Sequence, residues 1–218
     1  MIAPIGGGMK AFDNEFKRVG SSGGELAFLY SGVVSHYSMS AQDVVTLWGR
    51  LDAHRVHACV GGGWGVDALL GEQTREHSDL DVWAPAADLE RLFVAFSEVG
   101  IDRIFPWPGD RPWNFVLHDG GRLRVDLHLY EPLADGSLHY GSVVDGGPFP
   151  AEALAGRGSV AGVAVRCESA EWAVRWHTGY PARAVDHHDV PLLCQRFEIA
   201  LPEGFEPIAE PLVRGHQG

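Results

Sequence analysis

The sequence is short of basic residues and of cysteine, and each shortage narrows what the chain can be. Lys and Arg number 17 against 29 Asp and Glu in 218 residues, a formal net charge of −12. This balance argues against a nonspecific grip on nucleic acid, because phosphate backbones are held by clustered cations that displace counterions. An acidic protein suits a cationic small molecule better. The three cysteines, Cys59, Cys167 and Cys194, are odd in number, widely spaced and set in apolar surroundings, so they read as reduced core thiols. No CxxC pair offers zinc ligands. The first residues lack a basic stretch followed by an apolar run and a cleavage site, and nothing suggests secretion. With 45% hydrophobic and 21% charged residues the composition makes no case for a membrane span or for disorder. A globular, cytoplasmic chain with no membrane partner is expected, and no motif specifies an oligomeric state.

Residues 1–38 carry two glycine clusters and no sustained period, and read as an N-terminal extension in which Leu26 to Val34 are apolar enough to dock. A regular domain begins near Met39. Ser40 can cap a helix with Val44, Leu47, Trp48 and Leu51 on one face. Val56 to Val60 is β-prone, Gly61 to Gly63 break it, and WGVDALLG suits a short helix ending at Gly71. Pro85 to Ser97 follows as an amphipathic helix with Leu89, Leu92, Phe93 and Phe96 inward. Asn114 to His118 and Arg122 to Leu129 form a hairpin across Asp119, Gly120 and Gly121. Ala161 to Cys167 adds a strand, Ser169 caps a helix through His177, and a last helix follows Asp189 with Pro191 in its first turn. The pattern predicts an α/β (α+β) fold, a mixed sheet flanked by helices with a small helical C-terminal portion. The expected division is 1–38, a core at 39–150 and a strand-and-helix portion at 151–218 that completes a substrate cleft.

The segment SDLDVW alternates, so in a strand Asp79 and Asp81 project from one face. Two carboxylates one strand period apart can hold Mg²⁺, the ion that neutralises a nucleoside triphosphate and its leaving pyrophosphate, and Asp126 on another strand can complete a two-metal site. A solvated strand face is the bland alternative. Upstream, Gly62 and Gly63 let backbone amides approach phosphate, and the helix after them points its positive end the same way.

The stretch GGGWGVDALLGEQTREHSDLDVW resembles the start of the aminoglycoside and lincosamide nucleotidyltransferases, members of the polymerase-beta-like nucleotidyltransferase superfamily. Their pattern is a glycine pair and Trp, then RxHxDxD, here Gly62, Gly63 and Trp64, then Arg75, His77, Asp79 and Asp81. RVDLHLYE offers Asp126 as the third carboxylate, and HTGYPARAVDHHDVPLLCQRF is similar to a C-terminal helical motif of the group. The resemblance, covering about Met39 to Pro202, implies a nucleotidyltransferase-type sheet. It implies that Asp79 and Asp81 bind Mg²⁺, that Asp126 is metal ligand, general base or both, and that Gly62 and Gly63 contact the triphosphate of ATP or another nucleotide. Arg75 would face phosphate, and His77 would contact nucleotide or order the loop. The implied reaction transfers a nucleoside monophosphate, AMP from ATP, to a hydroxyl of a small molecule, an antibiotic first among them. A protein or tRNA acceptor, or a nucleotide-binding module without turnover, stays open. The acidic balance weighs against tRNA, and the three carboxylates weigh against the inert module.

Other residues invite second readings. Arg75 can instead pair on the surface with Glu72 or Glu76. Trp64, Trp83 and Trp113 can stack on adenine but read as core, and Tyr140 has no assigned role. His187 with His188, and His118 with His128, are read as structural, because adjacent helical histidines diverge and strand histidines are commonly packed. Asp186 to Asp189 read as a cap for the last helix in preference to a pocket for a protonated amine.

Overall fold

Ser40 sets the first helix. In the computed structural model, which describes residues 38–104 and 111–208, its hydroxyl accepts from the Asp43 amide at 3.2 Å while the Asp43 carboxylate accepts from the Ser40 amide at 2.8 Å. This capping box opens α1 (Ala41–Ala53), which buries Val44, Leu47 and Leu51. The chain continues through β1 (Cys59–Gly61), α2 (Gly62–Leu70), β2 (Leu80–Pro85), a 3₁₀ turn (Ala86–Asp88) and α3 (Leu89–Ser97). Then come β3 (Arg103–Ile104), β4 (Asn114–His118), β5 (Arg124–Pro132), β6 (Leu138–Tyr140) and β7 (Gly147–Phe149). A second 3₁₀ turn (Ala151–Leu154), β8 (Gly156–Val160), β9 (Val163–Cys167), α4 (Ala170–His177) and α5 (Ala184–Phe197) complete it.

The strands join in the order β3-β4-β5-β2-β1-β9-β8, with β6 paired to β5 and β7 to β6. β2 runs parallel to β5 and β1 parallel to β9, while the other pairs are antiparallel. This is the mixed α/β sheet flanked by helices that the pattern predicts. Alternation sends Leu80, Val82 and Ala84 of β2 and Val125, Leu127 and Leu129 of β5 into the main core with Leu47, Leu92 and Phe96. Each of these Val, Leu and Phe side chains contributes about 1.5–3 kcal/mol on burial. The opposite face of the same strands is left for Asp81, Trp83, Asp126 and His128. A second core joins α2 to α4 and α5 through Val66, Ala173, Val174, Val190 and Leu193.

Two local expectations are corrected, and one strand was not foreseen. In α3 the inward residues are Leu92, Ala95 and Phe96, and Phe93 is 37% exposed. One residue past Leu92 is about 100° around the helix, so Phe93 turns away and meets Phe115. The glycine-broken GRGSV run hides a strand, β8, that pairs with β9. The last helix begins at Ala184, not after Asp189, because Asp186 accepts from the Arg183 amide at 2.8 Å and caps it there. Pro191 therefore sits inside α5, where it is buried. All three cysteines are free and buried. Among the described residues no helix is long and apolar enough to cross a membrane. Leu26 to Val34 lie outside the described residues.

Candidate active site

The parallel register sets Asp81 beside Asp126 and Trp83 beside His128. On the other side of β2, Gly61 lies beside Asp81. β4 brings Asn114 beside His128. One sheet face thus gathers two carboxylates, an imidazole and an amide with no loop required to place them. His128 Nε2 lies 3.2 Å from Asp81 Oδ1, and its Nδ1 lies 3.0 Å from the Tyr140 hydroxyl. Asn114 Nδ2 donates to Asp126 Oδ1 at 2.9 Å. Asp79 stands just ahead of β2, its Oδ2 3.7 Å from Arg124 Nε.

Crowding these groups on an apolar face changes their acidity. Burial pushes the Asp126 carboxyl up to about 7; the charges of Asp81 and Asp79 add to the rise, and His128 opposes it. Removal from water, and then the Asp81 charge, raise Asp79 too. Burial works against ionisation of Asp81, but the hydrogen bond and charge of His128 outweigh it and hold that carboxyl below its usual range. Burial also works against a charged His128, yet Tyr140, Asp81 and Asp126 push it well above its ordinary value. The site therefore crowds negative charge beyond what its surroundings stabilise. Asp81, Asp126 and His128 each offer a ligand atom within 4.8 Å of the others, and a divalent cation fits that donor set. Asp79 stands beside this trio.

The glycine turn closes the site from the β1 side. Gly62 opens α2 at φ +54°, and a Cβ there would stand 2.0 Å from Asp81 Oδ2. The amide end of α2, with its partial positive charge, thus abuts the carboxylates. Gly62→Ala combines left-handed strain with that collision. It is expected to cut turnover at least about tenfold by displacing Asp81, while melting falls only a few degrees. Parental kcat in this variant would show that the turn and Asp81 are not mechanically linked.

Behind the turn, a Cβ on Gly63 would stand 2.4 Å from Arg75 Nη2 and 2.5 Å from His77 Nδ1. Arg75 forks onto Asp189 of α5, Nε at 2.9 Å and Nη2 at 2.7 Å, and its Nη1 donates to the Glu76 carbonyl. Its carboxylate partner is thus neither Glu72 nor the Glu76 side chain. His77 Nε2 meets Asp67 Oδ2 at 2.5 Å, its ring lies 4.4 Å from that of Trp64, and it is buried. Trp64 and Trp83 are buried and Trp113 packs on the main core.

Comparison with known proteins decides what this constellation belongs to. Residues 43–193 match the family described as aminoglycoside-2''-adenylyltransferase. The chain belongs to that family. A lincosamide resistance protein of Staphylococcus haemolyticus is 26% identical over 129 residues, covering 59% of this chain and 78% of that protein. A 2''-aminoglycoside nucleotidyltransferase of Escherichia coli is 32% identical over 143 residues, covering 64% and 73%. The crystal structure of the lincosamide antibiotic adenylyltransferase LnuA with lincomycin bound superposes with a TM-score of 0.62 at 23% identity, covering 75% of this chain and 99% of that one. ANT(2'')-Ia in complex with adenylyl-2''-tobramycin gives 0.56 at 20% identity, covering 72% and 88%, and the two share this chain's fold.

As a member of the aminoglycoside-2''-adenylyltransferase family the chain is a nucleotidyltransferase. Its fold brings Asp81, Asp126 and Gly62 together, sets Asp79 next to them, and places Gly63, Arg75 and His77 in a layer behind the turn. Reading the sequence passed over His128, which turns from a packed strand histidine into a partner of Asp81. It also missed Asn114 and left Tyr140 without a role. The signal for His128 was present: RVDLH puts it one strand period after Asp126, on the same face. His118 is on the hairpin too, but its ring accepts from the Gly120 amide.

Proposed function

We propose that this chain transfers AMP from ATP to a hydroxyl of an aminoglycoside or lincosamide antibiotic, releasing pyrophosphate, with Mg²⁺ at the carboxylate site. The observation that carries the reading is the side-by-side placement of Asp81 and Asp126, with Asp81 against the amide end of α2. The amides at Gly62 and Gly63 receive the triphosphate. Arg75, already committed to Asp189, backs the turn with positive charge, and His77 orders it through Asp67. Asp79, Asp81 and Asp126 would hold Mg²⁺, in two ions where both sites fill, with His128 beside them. When bound, the metal neutralises charge on the triphosphate and on the leaving pyrophosphate.

Asp126 does the proton work. Asn114 holds its Oδ1, and Asp126 Oδ2 takes the proton of the acceptor hydroxyl as the hydroxyl's oxygen attacks the α-phosphorus. A new O–P bond forms, the bond between the α-phosphorus and its bridge oxygen breaks, and pyrophosphate leaves. The rest is positioning and electrostatics. The C-terminal portion is read as completing the cleft begun by 39–150, because its helices α4 and α5 pack on α2, the helix that follows the glycine turn. The net charge of −12 suits a cationic acceptor, and the cytoplasm supplies ATP.

The test is Mg²⁺-dependent pyrophosphate release from ATP across a panel of aminoglycosides and lincosamides, then with tRNA and protein acceptors. Release that requires one of the antibiotics is the expected result. Release with tRNA or a protein alone would move the acceptor to that class, and ATP binding without release under any condition would leave a nucleotide-binding module.

A further inference from the structure

Trp83 lies on the site face of β2 and is held by one polar contact. Its ring stacks on His128 with centroids 4.7 Å apart and planes 24° from parallel. It stacks on Trp176 as well, at 4.9 Å, and Tyr140 meets it edge-on at 4.8 Å. Its indole N–H donates to Glu168 Oε1 at 2.6 Å. Glu168 follows Cys167, the last residue of β9, and its amide donates to the Val60 carbonyl at 3.1 Å. Cys167 faces the main core, so alternation turns Glu168 to the face that carries Asp81 and Trp83. Gly61 makes room for it, since a Cβ there would stand 2.5 Å from Glu168 Oε1.

Packing alone does not explain an acid at this position. Glu168 is 3% exposed, and its Oε2 is buried with no hydrogen-bond partner among the described residues. A half-satisfied buried carboxyl destabilises a fold, and a phenyl ring at 83 with an apolar side chain at 168 would fill the same space with no polar group to satisfy. What the acid adds is direction. Its Oε1 fixes the indole N–H, and with it the plane of the ring presented to His128. That imidazole in turn meets Asp81 through Nε2 and Tyr140 through Nδ1.

We propose that Glu168 is a positioning residue for nucleotidyl transfer: by holding the Trp83 indole it fixes the surface on which His128 stacks, and so keeps the imidazole against Asp81. This rests on the proposed role of the Asp81, Asp126 and His128 site. Burial pushes the Glu168 carboxyl up to about 7, with His177 opposing. The acceptor role survives protonation, because a neutral acid keeps its carbonyl oxygen. A glutamine amide keeps one too.

The experiment compares Glu168→Gln, Glu168→Leu, Trp83→Phe and the Leu/Phe double variant by kcat, KM, melting and the NMR shifts of the His128 ring protons. In Glu168→Leu, kcat is expected to fall about tenfold or more, with KM for ATP changed no more than about twofold. Glu168→Gln is expected to restore kcat to within about threefold of the parent, and the double variant to be no slower than the slower single one. Stacking shifts the His128 ring protons upfield; the glutamine variant should keep that shift and the leucine variant should lose it. Parental kcat in folded Glu168→Leu, with the His128 shifts unchanged, overturns the proposal whatever the melting temperature. Should that variant fail to fold, a parental kcat in Trp83→Phe overturns it, and a loss there, together with near-parental kcat and retained His128 shifts in Glu168→Gln, upholds it. If the parent modifies no acceptor, the functional reading fails on its own, and the ring shifts still decide whether Glu168 positions His128.

Discussion

Asp126→Asn is expected to keep Mg²⁺-dependent ATP affinity within about tenfold of the parent while turnover falls about a hundredfold or more, the scale of a lost general base. Asparagine preserves the shape of the side chain, and the Asn114 amide can still donate to its carbonyl oxygen. What is lost is a group able to take a proton. The split between binding and rate follows from position. Asp81 lies against Gly62, the turn proposed to receive the triphosphate, whereas Asp126 lies one strand further from that turn. Asp81→Asn is therefore expected to weaken both. Calorimetric ATP binding and steady-state turnover with an acceptor the parent modifies measure the two quantities. Near-parental turnover in Asp126→Asn would defeat the three-carboxylate mechanism and leave only its nucleotide-binding half.

Asp186→Ala is expected to lower stability at neutral pH by about 3 kcal/mol, the scale for breaking a buried charged network. Asp186 is fully buried and accepts from His177 Nδ1 at 3.0 Å, the Tyr180 hydroxyl at 2.8 Å, and the Arg183 amide and Nε at 2.8 and 3.0 Å. Truncation orphans those donors where water does not replace the carboxylate. Burial opposes ionisation of Asp186, but the hydrogen bonds from His177, Arg183 and Tyr180 outweigh it and hold the carboxyl far below its usual range. Between that lowered value and the ordinary one of about 3.9 the unfolded chain binds more proton than the folded chain. The contribution of Asp186 is thus fully present above the ordinary carboxylate range and drains away as pH falls below it. Urea melts of parent and variant should differ equally at pH of about 7 and 5 and converge below about 4. A difference under about 1 kcal/mol at neutral pH, or one that persists unchanged into acid, would show that the cluster does not hold α4 to α5.

The sequence by itself determined whatever depends on near neighbours along the chain. Period-two alternation in SDLDVW and RVDLH placed Asp81 and Asp126 on sheet faces, though β2 begins one residue after Asp79, and Ser40 with Asp43 closed the first helix through a local hydrogen-bond exchange. The break at Gly61 to Gly63 and the left-handed stop at Gly71 marked α2 in the same way. Where local signals competed they misled. Pro191 reads as a first-turn residue, yet Asp186 wins the cap because it can also satisfy His177 and Tyr180. Only the tertiary structure decided which faces meet. The parallel pairing of β2 with β5 turned two separate acids into neighbours and drew His128 in with them. Packing of other elements joined Arg75 to Asp189 across 114 positions and Trp83 to Glu168 across 85. Periodicity says which side of a strand a residue faces, but strand order and register come from burying the whole apolar surface at once, and no local stretch of chain carries that sum.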